Sequence, residues 1–69
     1  MKVEWVKGSE ISVKCENDEV TLSANKAGLL SLAGQLLELA KAEEGDHIHY
    51  DEYNSLKQGS VELIVEKVK

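Results

Sequence analysis

The residues with the most chemistry in this sequence are His47, His49 and Asp51, spaced as His-x-His-x-Asp. On a β-strand alternate residues share a face, so the two imidazoles would point the same way, about 7 Å apart at their Cα atoms. A strand-borne His-x-His pair can supply two zinc ligands, and Asp51 could add an oxygen. A catalytic zinc takes three protein ligands and keeps one position open, and the chain holds no third histidine. The pattern therefore allows a small metal-binding domain as one reading. The other reading is two half-exposed imidazoles on a polar strand face, hydrogen bonded to neighbouring carboxylates. No cofactor motif is present.

Covalent and acid–base chemistry find less support. No serine sits in a G-x-S-x-G elbow. Cys15, the single cysteine, lies on the apolar parity of a strand pattern, where a buried and inert thiol is expected. Gly59-Ser60 precedes a strand rather than a helix, so it is no phosphate cradle. A chain this short also has little room for the closed pocket of roughly 300–1,000 Å³ that small ligands use. These features point to a binding protein rather than an enzyme.

Charge narrows the partner. Thirteen acidic residues stand against eight lysines, with no arginine, for a net charge of −5. That balance repels phosphate backbones and disfavours nucleic acid as a partner. It suits solubility, and it suits steering toward a basic protein. No apolar run approaches the roughly 20 residues of a membrane span. A lone thiol in a chain without a recognisable signal peptide fits a reducing compartment, so a cytoplasmic location is expected.

The elements that would carry these residues follow from periodicity. The 69 residues read as a single domain, 1–69. Val3 and Trp5 alternate with polar neighbours, which suggests a first strand at 2–7, with Trp5 expected in the core. Ile11, Val13 and Cys15, then Val20, Leu22 and Ala24, alternate on either side of Asn17-Asp18, so residues 10–24 read as a β-hairpin. The period then changes to that of a helix over 25–42, capped by Asn25 and ended near Gly45. Leu29, Leu30, Ala33, Leu36, Leu37 and Ala40 recur at helical spacing and would face the sheet. Leu32 and Leu39 widen the stripe beyond what one sheet face needs, so a further contact is expected, a second chain included. Close packing is expected at Gly34.

Residues 46–51 read as a strand, 52–60 as a loop and 61–69 as the last strand. The fold class is α+β, a four- or five-stranded antiparallel sheet with one long amphipathic helix on one face, in the order βββαββ or ββαββ. One helix covers one face. The bare face collects Ser12, Lys14, Glu16, Glu19, Thr21, His47, His49, Asp51, Glu62, Ile64 and Glu66 by parity. Carboxylates around an apolar centre at Ile64 suit a protein interface. The candidate partner-binding residues are His47, His49, Asp51, Glu52, Glu62, Ile64 and Glu66.

Residues 23–67 resemble a small immunity-protein family of bacterial polymorphic toxin systems. The resemblance rests on three pieces in order. One is the helix from Asn25-Lys26 through Gly28-Leu29-Leu30-x-Leu32-Ala33 and Leu36-Leu37-x-Leu39-Ala40. The second is the Gly45-Asp46-His47-Ile48-His49-Tyr50-Asp51-Glu52 strand, and the third is Gly59-Ser60-Val61-Glu62-Leu63-Ile64-Val65. Such a resemblance implies a small α+β domain that binds and blocks a cognate toxin, usually encoded beside it, without catalysis. It assigns no role to individual residues. An acidic inhibitor would dock quickly on the substrate surface of a basic toxin domain. The alternatives are the His-x-His-x-Asp metal domain and a homodimeric module paired through the helix stripe.

Overall fold

A computed structural model describes residues 2–69. The order is β1 (Ile11–Glu16), β2 (Glu19–Ala24), α1 (Lys26–Lys41), β3 (His47–Tyr50) and β4 (Leu63–Glu66). The class is α+β with one helix, as the periodicity predicts. Among the described residues the expected single four- or five-stranded sheet is not formed. There are instead two two-stranded antiparallel sheets, β1–β2 and β3–β4.

The first hairpin turns at Asn17 and Asp18, both at positive φ (50° and 64°). Two left-handed central residues match the twist of the flanking strands, and Asn and Asp tolerate that conformation better than most side chains. The turn sets Val13 opposite Leu22 and Cys15 opposite Val20. In β3–β4, Ile48 faces Val65 and Tyr50 faces Leu63.

What separates the two sheets is the chain just before β4. Lys57 donates its backbone N–H to Ile11 O (2.8 Å) and Val61 to Val13 O (2.9 Å). Between them the chain turns at Gly59, at φ 91°. The Val13 N–H finds the Ser60 hydroxyl (3.1 Å) instead of a backbone carbonyl. The edges of β1 and the β4 approach are thus stitched together without forming a ladder.

Residues 2–7 form no strand. They run along α1, where Gln35 Nε2 donates to Glu4 O (2.7 Å) and the Val6 N–H donates to Ser31 Oγ (2.8 Å). Asn25 fastens the chain that follows this segment to the start of the helix. Its Oδ1 accepts from Gly28 N (2.8 Å) as an N-cap and from Glu10 N (3.1 Å), while its Nδ2 donates to Gly8 O (2.9 Å). At the other end the Lys67 ammonium donates to Ala40 O (2.7 Å) and Ala42 O (2.8 Å), placing a cation where helix carbonyls lack partners. Gly45 takes φ 94° just beyond.

The helix is turned away from its expected orientation. Its buried residues are Gly28, Ser31, Gln35 and Leu39. Leu29, Leu30, Leu36 and Leu37 are 44% to 64% exposed, and Ala33 and Ala40 are exposed too. The cause is polar. The amide and carbonyl of residues 4–6 need partners once laid against the helix, and Ser31 and Gln35 supply them. Close approach also falls at Gly28, not Gly34. A Cβ on Gly28 would lie 2.8 Å from Glu10 O and 2.9 Å from Ile11 Cγ1, while one on Gly34 would meet nothing within 4 Å.

The core is Ile11, Val13, Leu39, Ile48, Tyr50 and Leu56, with Ala24, Leu32, Ala42, Leu63 and Val65 packed around it. Leu56 comes from the 52–60 loop and is buried in this core. Trp5 sits at the rim rather than inside, 39% exposed, with its ring edge-on to Tyr50 (centroids 6.1 Å apart, planes at 86°). Cys15 is exposed because it and Val20 lie at the turn end of the hairpin, beyond the core. Among the described residues no helix is long and apolar enough to cross a membrane.

Candidate functional site

The outward face of β3–β4 carries most of the residues singled out above. Strand alternation turns Ile48 and Tyr50 inward and leaves His47 and His49 outside. Antiparallel pairing then sets His47 opposite Glu66 and His49 opposite Ile64. Glu62 precedes β4 and reaches back, its Oε2 3.4 Å from His49 Nδ1. Ile64 stands among these polar groups 52% exposed. His47, His49, Glu62, Ile64 and Glu66 therefore share one small surface.

The imidazoles are oriented by their neighbours. Gly45 O lies 3.1 Å from His47 Nδ1 and can only accept, so Nδ1 carries the proton and Nε2 is left open. The Glu62 carboxylate likewise accepts from His49 Nδ1. The two rings meet edge to face, with centroids 4.9 Å apart and planes at 69°. His49 and Glu62 are about half exposed, so this contact contributes little to stability.

Asp51 and Glu52 do not join this surface. Asp51 Oδ1 accepts from Tyr53 N (2.9 Å) and Asn54 N (3.0 Å), an Asx turn that opens the loop. Glu52 accepts from the Gly59 N–H across the same loop. Both carboxylates thus organise the 52–60 segment. With Asp51 occupied, the His-x-His-x-Asp pattern holds only two of its three ligands together. Among the described residues no group of three His, Cys, Asp or Glu is arranged to hold a metal ion.

The same turn presents a residue that the strand patterns gave no reason to choose. Tyr53 sits at its apex, 96% exposed. Asn54 Nδ2 donates to His49 O (3.1 Å), which ties the loop to the end of β3. A signal lay in Asp51-Glu52-Tyr53-Asn54, because an Asp-x-x-Asn run reads as a turn, and turns run over the surface. Tyrosines so placed are frequent interface anchors. The polar hairpin face, with Lys14, Glu16, Glu19 and Thr21, lines only an open concavity of about 270 Å³. It brings no chemistry together.

No curated protein and no solved structure matches this chain. A family model does: that of Immunity protein 32 matches residues 19–68, from the start of β2 past the end of β4. The match takes in the helix, the His47–Tyr50 strand, the Asx turn and Ile64, so the chain belongs to the Immunity protein 32 family.

Proposed function

We propose that this protein binds a cognate bacterial toxin in the cytoplasm and neutralises it by occlusion, without catalysis of its own. The family match over residues 19–68 is the observation that carries this reading. The outer face of β3–β4 is the docking surface, with Ile64 as its apolar centre and His47, His49, Glu62 and Glu66 around it. Asp51 and Glu52 act one step back, by holding the loop that displays Tyr53. An exposed aromatic beside a charged rim has the composition of an interface core and its surround.

The partner's chemistry follows from charge. A net charge of −5 speeds encounter with a basic toxin domain and slows encounter with an acidic one. The complex is nanomolar in class, which corresponds to about 12 kcal/mol of binding free energy. The direct experiment is co-purification with the toxin domain encoded by the neighbouring gene. Recovery of a stoichiometric complex supports the reading, and recovery of neither partner with the other contradicts it.

A further inference from the structure

His47 and His49 lie side by side on the β3–β4 face, and both are held by the same ring atom. Gly45 O takes the Nδ1 proton of His47 at 3.1 Å, and the Glu62 carboxylate takes that of His49 at 3.4 Å. A neutral imidazole with its proton on Nδ1 carries a lone pair on Nε2, which can only accept. Among the described residues neither Nε2 has a protein partner. We infer that both imidazoles meet the toxin neutral, each Nε2 accepting from a lysine or arginine of the toxin, so that the complex forms with loss of protons and weakens as pH falls. This rests on the toxin-binding function proposed for the same face.

Protonation reverses what the pair offers. An imidazolium has N–H groups on both nitrogens and a full positive charge, so it gives a basic side chain nothing to donate to. The rings are in contact, with centroids 4.9 Å apart, so a second proton enters against the first. A toxin cation placed over them opposes both protons in the same way.

The surroundings leave the rings as the switch. Glu62 lies beside His49 and Glu66 stands opposite His47, and these carboxylates face the pair from the β4 side. Asp46 accepts from the Glu43 N–H, Asp51 holds its turn, and the Lys67 ammonium is spent on the helix end. Two ring protons would therefore cancel the charge of the two carboxylates that draw a basic toxin. Imidazole gains its proton between about pH 8 and 5, a range over which an ordinary carboxylate keeps its charge. On docking, the Nε2 proton of each protonated ring passes to solvent and a toxin N–H takes its place. By reciprocity, protons expelled by the toxin must weaken its binding when they are supplied.

Nitrogen NMR of the imidazole rings tests this on wild-type protein, free and bound to the toxin domain encoded by the neighbouring gene. The free rings should gain protons between about pH 8 and 5, and the bound rings should stay neutral near pH 6 with the proton on Nδ1. Calorimetry from pH 7.5 to 5.5 gives the energetic counterpart. The wild-type Kd should rise at least about tenfold more than that of the His47→Gln/His49→Gln variant, whose pH dependence reports the toxin's own titration. If the variant binds too weakly to titrate, the ring spectra decide. Bound rings protonated on both nitrogens, or Kd values that shift alike in both proteins, overturn the inference and leave the toxin complex standing. No complex at pH 7.5 overturns the toxin-binding function itself, and this inference falls with it.

Discussion

Gln35 and Tyr50 hold one another inside the core: the Tyr50 hydroxyl donates to Gln35 Oε1 at 2.7 Å, and both residues are 1% exposed. Gln35 has a second task, since its Nε2 satisfies Glu4 O. One glutamine thus joins the N-terminal segment, the helix and β3. No buried side-chain nitrogen or oxygen is left without a partner among the described residues. Gln35→Ala would strand the Tyr50 hydroxyl and the Glu4 carbonyl and leave a void as well. The expected loss is about 2–4 kcal/mol, a large part of the stability of so small a domain. Urea unfolding measures it.

The same tyrosine makes stability sensitive to alkali. Burial pushes the Tyr50 hydroxyl above its ordinary value of 10.0, because the phenolate would be cut off from water. A raised acid in the fold means that the unfolded chain releases this proton first. The contribution is therefore intact below about pH 10 and is lost as pH rises through the folded value. Thermal melts between pH 9 and about 11 should fall more steeply for the wild type than for Tyr50→Phe. Parallel curves would contradict the assignment.

Two glycines of α1 should respond in opposite ways. Gly34 faces open space, so Gly34→Ala removes only the entropy cost of glycine in a helix and should stabilise by up to about 1 kcal/mol. Gly28 lies against Glu10 O and Ile11, so Gly28→Ala forces the helix off β1 and should cost about 1–3 kcal/mol. Paired denaturation curves give both values.

Asp51 fixes the start of the 52–60 loop. Its carboxylate accepts from two backbone N–H groups, which an amide oxygen can also do. Asp51→Asn should keep stability within a few tenths of a kcal/mol, and Asp51→Ala should lose about 1 kcal/mol, as at a helix cap. Zinc should leave the melting temperature of either variant, and of the wild type, unchanged.

Much of this fold was legible in the sequence, and the exceptions share a cause. Alternation located the hairpin and β3, and Asn25 marked the helix start, while the helix ends at Lys41 with Ala42 as its cap and Gly45 turns the chain beyond it. Hydrophobic periodicity failed to orient the helix because it counts apolar side chains and ignores the amides of a neighbouring segment. Ser31 and Gln35 were buried by the hydrogen-bonding needs of residues 4–6, and the leucines were left outside. The single sheet failed for a similar reason, since a Gly59 turn and a serine hydroxyl interrupt the ladder beside β1. At the candidate site, strand parity correctly gathered His47, His49, Ile64 and Glu66. It misplaced Asp51, which has left β3 and entered a turn, and it had no means of finding Tyr53.

We propose the outer face of β3–β4 as the surface that captures a toxin. Calorimetric titration of the neighbouring toxin domain with wild type, Ile64→Ala, Tyr53→Ala and Glu62→Lys tests it most directly. The account predicts a one-to-one nanomolar-class complex, weakened at least about thirtyfold by each substitution, with the folded melt retained. No complex with the wild type, or a complex that all three variants form equally well, would contradict it.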